Sequence, residues 1–356
     1  MNAALPATDS TPPQSGACEI CGLEVYNEER ERFHKLRLKN FGSLTKDGKK
    51  IKWSSSLKAF LKRNIAGDFE ASDLRPAIYR PFAREFLYFN SLLTHRRAHL
   101  REIFPTGSFQ ENLVINAPGP GNRKKFGALA TNLIPSLDLA FEKCQCFPLY
   151  DYGKDGTNRR ENITDWAVTE FRSHYGQKSI TKREIFHYTY ALLHHPEYRT
   201  RYAANLKREL PRVPFAPNFA EYARIGADLM KLHLEYEQQR EYPLERRETG
   251  KLNWRVEKMS LSKDKTQLKY NDFLTLSGIP PEVYDYRLGN RSALEWVVDQ
   301  YRVSTDKRSG IVNDPNRPDD PEYIVRLIGQ VVTVSLETVR LVRELGALPL
   351  LPAPVG

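Results

Sequence analysis

Two clusters in this sequence carry side chains that could act on a ligand directly. His194-His195-Pro196, with His187 seven residues earlier, offers imidazoles for metal binding or proton transfer. Adjacent residues on a helix point about 100° apart, so His194 and His195 do not easily hold one metal, whereas His187 shares a face with His194. No acidic residue completes a His-Glu-x-x-His pattern, in which the Glu would serve as base. These histidines therefore read as core or helix-end residues. The second cluster is Pro118-Gly-Pro-Gly-Asn-Arg-Lys-Lys125. It has the composition of a phosphate loop, but a nucleotide-binding loop needs Gly-x4-Gly-Lys followed by Ser or Thr, and that order is absent. Three consecutive cations beside glycines suit contact with a nucleic-acid backbone as well as they suit a solvated turn.

Two further motifs point to chemistry and fall short of it. Asn313-Asp-Pro-Asn316 matches half of the Asn/Asp-Pro-Pro-aromatic signature with which adenine-N6 methyltransferases grip a flipped base. The second proline and the aromatic are missing, and no Gly-rich strand-to-helix turn for S-adenosylmethionine stands ahead of it, so the segment reads as a turn. Cys18-Glu-Ile-Cys21 has zinc-knuckle spacing, yet a structural zinc needs four ligands. Cys144 and Cys146 lie more than 120 residues away, and His34 would come from a separate element. Reduced thiols are expected, and no metal site, consistent with a cytoplasmic chain.

The charge distribution is the stronger signal. The chain carries a net charge of +10, and Arg30 to Arg63 alone holds 12 Lys and Arg against 2 acids, enough to account for that excess. Such a field attracts polyanions, of which nucleic acid is the usual one. Arginines also interleave with aromatics: Arg80, Arg84, Arg96 and Arg97 alternate with Phe82, Tyr88 and Phe89. Arg123, Lys124 and Lys125 follow the Pro/Gly loop, and Arg159 and Arg160 precede a helix. Lys182 and Arg183 stand in the first turn of another helix, where cations oppose the helix dipole unless an anion such as phosphate approaches. Lys207 and Arg208 complete the set of candidate phosphate contacts.

The elements that must position these residues are legible in part. Residues 1–17 read as a disordered, Pro-rich leader without the apolar centre of a signal peptide, and no run of ~18 apolar residues predicts a membrane span. Residues 18–75 form a basic junction, with a short amphipathic helix from Ser54 to Arg63. A turn at Tyr79-Arg-Pro-Phe82 leads into a buried strand, and Asn112–Asn116 is another strand. Thr164 caps a helix that ends before Gly176. Thr181-Lys-Arg-Glu184 is a capping box, in which hydroxyl and carboxylate satisfy free backbone donors, and its helix ends near Pro196. Further helices are expected from Glu197 to about Leu210 and from Phe219 to Arg240. Alternation from Trp254, with a turn at Lys263-Asp264 and a return to Leu276, predicts a β-hairpin. Ser292-Ala-Leu-Glu295 opens a helix, and Asp320-Pro321 starts a long last one with Ile324, Leu327, Val331, Val334, Thr338 and Leu341 on one stripe. The tail from Gly346 reads as loose. The fold class is α+β: strands and hairpins, a central multi-helix region and a long C-terminal helix.

In this order the motifs resemble the C-terminal specificity, or target recognition, region of type ISP restriction-modification enzymes. The resemblance is carried by Tyr79-Arg-Pro-Phe82, Gln145-Cys-Phe-Pro-Leu-Tyr150, Ile163-Thr-Asp-Trp166, His174-Tyr-Gly176, Ile180-Thr-Lys with Ile185-Phe-His-Tyr188, Leu193-His-His-Pro-Glu-Tyr-Arg199 and Asn205-Leu-Lys-Arg-Glu-Leu-Pro211. It continues through Lys258-Met259, Tyr270-Asn271, Ser277-Gly-Ile-Pro280, Arg291-Ser-Ala-Leu-Glu-Trp296, Ser309-Gly-Ile-Val-Asn-Asp-Pro315 and Val334-Ser-Leu-Glu-Thr338. It implies a DNA-binding recognition domain over residues 76–345, with double-stranded DNA as partner. Complete family members join a nuclease, a translocating ATPase and an adenine-N6 methyltransferase to this region. Their motifs are missing here, so S-adenosylmethionine, ATP and Mg²⁺ are implied only for a complete enzyme, and a methyltransferase/helicase-nuclease polypeptide is an implied partner. The alternative is a methyltransferase or restriction component active only with a partner subunit; a third reading is an inactive remnant.

Overall fold

The computed structural model describes residues 17–47, 50–94, 99–105, 112–307 and 310–351. Two units follow from the chain's contacts: one of residues 1–75, 86–98 and 305–312, the other of 76–85, 99–304 and 313–356. The expected leader lies outside the described residues, apart from Ala17.

In the first unit the start of the expected basic junction is a helix, α1 (Ala17–Lys35), followed by α2 (Ser55–Lys62). Leu23, Tyr26 and Phe33 are the sparse apolar face of α1, and they share a small core with Leu57 and Leu61 of α2. Among the described side chains of α1 these few apolar residues stand among many charges, which is why the period of that face is faint. Ser54 caps α2 by accepting from the Leu57 amide, as expected. Polar ties then fix the chain after α2: Tyr26 donates to the Ile65 carbonyl at 2.7 Å, and Asn27 exchanges two hydrogen bonds with Gly67.

The second unit holds the main core. β1 (Leu74–Arg80) and β2 (Ala83–Tyr88) flank Pro81-Phe82, where Phe82 adopts φ +62°. Tyr79 and Arg80 thus belong to a strand rather than to the turn. A short helix, α3 (Leu100–Ile103), precedes β3 (Val114–Pro118), β4 (Leu129–Thr131) and β5 (Ile134–Pro135). β5 pairs in parallel with β1, Ala77 opposite Ile134. β6 (Cys144–Pro148) completes the order β4-β3-β6, and β7 (Tyr150–Asp151) pairs with β8 (Arg160–Glu161). The strand expected at Asn112 begins two residues later because the Asn112 side chain is already engaged: its amide donates to the Ile103 and Tyr150 carbonyls, and its oxygen accepts from the Tyr150 amide.

The helical centre matches its capping signals closely. Thr164 caps α4 (Asp165–Tyr175), which Gly176 ends at φ +64°. Both arms of the Thr181/Glu184 capping box form at the start of α5 (Lys182–His194). α6 (Pro196–Arg201) is shorter than expected, because beyond Arg201 only Leu206 up to Lys207 is buried and no stripe sustains a helix. α7 (Phe219–Leu234) likewise stops early, and a 3-10 turn at Tyr236–Gln238 buries Tyr236 instead. α5 and α7 approach so closely that a Cβ on Gly226 would lie 1.9 Å from the His187 carbonyl oxygen.

The C-terminal part adds a four-stranded antiparallel sheet, in the order β10-β11-β12-β9, from β9 (Glu245–Glu248), β10 (Ser260–Leu261), β11 (Gln267–Lys269) and β12 (Leu274–Ser277). β9 escapes sequence reading because all four of its residues are charged and exposed. Trp254–Lys258 alternates as a strand does but pairs with none: Asn316 bonds both the Val256 amide and the Val256 carbonyl, standing in for a neighbouring strand. β13 (Arg287–Leu288), β14 (Arg291–Ser292) and α8 (Ala293–Gln300), capped by Ser292, lead to α9 (Tyr323–Gly346). All six expected stripe residues of α9 are buried. The segment after it is packed rather than loose as far as Leu350, which is 1% exposed, and the Leu348 carbonyl accepts from His195. The architecture is α+β, as expected.

Candidate nucleic-acid interface

The histidine cluster resolves into structure. Tyr190 on α5 accepts from the Ala130 amide and donates to His233 Nδ1 at 2.6 Å. His233 Nε2 then donates to Thr338 Oγ1 at 2.9 Å, and Thr338 donates to the Val334 carbonyl. This chain ties α5, α7 and α9 together through the core. Burial, with the Arg199 charge nearby, lowers the His233 pKa to about 3, so the ring is neutral. His195 caps α6 and stacks on Tyr222 at 5.7 Å. These are core and helix-end roles, as expected. Cys144 is buried and Cys146 half-buried, both thiols free, and burial pushes the Cys146 thiol up to about 11. Among the described residues no group of three His, Cys, Asp or Glu is placed to hold a metal.

The partial methyltransferase motif is likewise structural. Asp314 forms an ion pair with Arg255 at 2.8 Å, and Asn316 clamps Val256. Asp314 and Asn316 are thus committed to the neighbouring chain, and the motif does not fit the gripping of a base.

The candidate cations separate by whether their charge is already met. Arg84 meets Glu237 at 2.9 Å, Arg160 meets Asp151 at 2.9 Å, and Lys182 meets Asp165 at 2.7 Å. The dipole cost expected for Lys182 is therefore relieved by Asp165. Arg80 lies over the Tyr79 ring at 4.2 Å and Arg159 over the Tyr150 ring at 4.6 Å. The charged groups of Arg123, Lys124, Lys125, Arg183, Lys207 and Arg208 have no carboxylate within 4 Å among the described residues, although the Arg123 backbone amide donates to Glu142 at 3.4 Å, and all but Lys124 are exposed. Arg96 and Arg97 lie outside the described residues.

Three of these free cations come together. Lys124, Lys125 and Lys207 line one cleft of about 570 Å³ in the second unit. The loop carrying the first two is held to the chain after α6 by a hydrogen bond from the Gly121 amide to the Lys207 carbonyl at 2.8 Å. Asn122, 5% exposed, shapes the loop by bonding both the amide and the carbonyl of Lys124. Arg199, Arg287 and Arg343 line the same cleft, and the one acid there is Asp285. Sequence reasoning missed these three arginines. Arg199 stood within the motif Leu193–Arg199, but a lone Arg in a helix carries no signal of its own.

A family model described as the Type ISP C-terminal specificity domain matches residues 22–327. The chain belongs to this family. Among curated proteins none matches. Solved structures that resemble it include a nuclease-deletion mutant of the Type ISP restriction-modification enzyme LlaGI in complex with a DNA substrate mimic, at TM-score 0.83 and 34% identity over 94% of this chain. A DrdV–DNA complex matches at TM-score 0.80 and 36% identity, again over 94% of this chain. The ATP-dependent Type ISP enzyme LlaBIII bound to DNA matches at TM-score 0.83 and 27% identity over the same share. The Type ISP specificity domain spans a third or less of those chains, at 31%, 33% and 22% of their lengths. The match takes in residues 22–75, most of the segment 18–75 read from sequence as a basic junction.

Proposed function

We propose that this specificity domain is a DNA target-recognition module. It binds duplex DNA through phosphate contacts from the second unit, and a smaller set of Arg, Asn and Gln side chains reads base edges in the major groove. The observation that carries this reading is the set of six cations whose charged groups have no carboxylate partner among the described residues, three of them lining one cleft. Surface charges left unmatched by the protein are those available to phosphate, whereas matched ones already have their counter-ion. The DNA complexes of LlaGI, DrdV and LlaBIII support the same reading. S-adenosylmethionine, ATP and Mg²⁺ chemistry belongs, on this proposal, to other parts of a longer assembly in the cytoplasm, and a methyltransferase/helicase-nuclease polypeptide is the protein partner.

The test is a fluorescence titration of labelled duplexes with the purified chain at several salt concentrations. Affinity that falls linearly in log–log form with salt supports the proposal. Affinity that does not respond to salt, or no binding to any duplex at low salt, contradicts it.

A further inference from the structure

Gln145 stands exposed on β6, and its side-chain amide makes no hydrogen bond among the described residues. The strand holds it in place. β6 pairs with β3, Ala117 opposite Gln145, and the Gly119 amide donates to the Lys143 carbonyl at 3.0 Å. The Gln145 amide lies against Gly119, where an added Cβ would stand 3.2 Å from Gln145 Nε2. A side chain carried on a strand is placed more precisely than one on a loop. Gln145 is thus a free donor and acceptor in a fixed position.

The neighbouring turn adds a second exposed group. The Cys144 amide donates to the Leu137 carbonyl at 3.1 Å, which sets Leu137 beside the start of β6. Leu137 is 73% exposed, whereas Leu139, Ala140 and Phe141 just after it are fully buried. The turn therefore buries three apolar side chains and leaves a fourth in solvent.

The charges around this pair differ from those of the basic cleft. Asp138, next to Leu137, is exposed, and Glu142 accepts from the Arg123 amide at 3.4 Å. Carboxylates repel phosphate, so this corner does not suit the DNA backbone, whereas the exposed Arg123 and Lys143 beside it do. An exposed amide and an exposed apolar side chain in such surroundings match base edges. A Gln amide bonds adenine N6 and N7 together, and apolar side chains contact the thymine methyl.

We propose that Gln145 reads an adenine in the major groove and that Leu137 contacts a thymine methyl beside it, so that this corner of the domain specifies an A·T pair. The inference rests on the recognition reading above and assigns base reading to two uncharged residues, apart from the phosphate contacts.

The experiment is selection of duplexes from a random pool by the full chain, by Gln145→Ala, by Gln145→Glu and by Leu137→Ala, with thermal melts to confirm folding. Affinities are then titrated for each single-pair change in the enriched sequence. The wild type should select a sequence with an A·T pair whose replacement weakens binding roughly tenfold or more. Gln145→Ala should lose discrimination at that one pair and keep it elsewhere. Gln145→Glu should shift the preference there to cytosine, whose N4 amine donates to a carboxylate. Replacing thymine by uracil removes only the methyl, and should weaken the wild type about fourfold and Leu137→Ala hardly at all. An enriched sequence without an A·T pair, or Gln145 variants that discriminate at every pair as the wild type does, would overturn the proposal and leave the recognition reading standing. An equal effect of uracil on wild type and Leu137→Ala would overturn the Leu137 contact. No enrichment by the wild type would sink the recognition reading and this inference with it.

Discussion

Neutralising charge at matched and unmatched cations separates a functional surface from a merely basic one. Among the described residues the charged groups of six candidates lack a carboxylate partner: Arg123, Lys124, Lys125, Arg183, Lys207 and Arg208. Arg160 and Lys182 are matched by Asp151 and Asp165 at 2.9 and 2.7 Å. Each phosphate neutralised in duplex DNA contributes about 0.9 to the slope of log affinity against log salt. If all six free cations meet phosphate, substituting them together with Gln lowers that slope by about 5, and the salt-dependent part they supply is worth roughly 10³ in affinity between 50 and 200 mM. Arg160→Gln with Lys182→Gln should leave the slope nearly unchanged, since those charges already have counter-ions. The assay is fluorescence anisotropy with one labelled duplex at four or more salt concentrations, with thermal melts to confirm folding. A six-fold variant that keeps the wild-type slope would refute the reasoning, and so would a matched pair whose loss lowers the slope as much.

Three further outcomes follow from the geometry. His233 has a folded-state pKa near 3, against 6.5 as its ordinary value, because burial disfavours the charged ring. Its unfolded form therefore binds more protons between those values, so its contribution is complete above about pH 6.5 and is lost by about 1.4 kcal/mol per pH unit as pH falls toward 3. Chemical denaturation at pH 7.5 and pH 5 should show the lower midpoint at pH 5, and equal midpoints would count against a neutral buried His233. Gly226→Ala places a methyl 1.9 Å from the His187 carbonyl, so α5 and α7 must separate. The expected loss is about 3 kcal/mol in urea denaturation, with an unchanged midpoint as the refuting result. Thr181→Ala removes the hydroxyl that accepts from the Glu184 amide and should cost about 1 kcal/mol in the same assay.

Which parts of the fold the sequence discloses follows from how locally each signal is encoded. Thr164, Thr181 and Ser292 cap helices through bonds within four residues, and the three helix starts lie where those residues place them. The α9 stripe was equally plain, since every expected position faces the core. Distant partners defeated the rest. Asn316 holds Val256 across 60 residues and turns an alternating segment into a clamped loop. β9 is four charged residues that pair with β12 with no apolar pattern of their own to signal it. The site divides in the same way. Lys124, Lys125 and Lys207 were visible as cations, but their convergence depends on the Gly121–Lys207 hydrogen bond, and Arg199 joins them only because the fold brings it to the same cleft.

The central claim is that this specificity domain reads DNA sequence. The most direct measurement is selection from a pool of random duplexes on the immobilised chain, followed by affinity titration of the enriched and unselected pools. The account predicts one enriched sequence bound on the order of 10³-fold or more tightly than unselected duplex at physiological salt. Enriched and unselected pools of equal affinity, or no duplex retained at low salt, would contradict it.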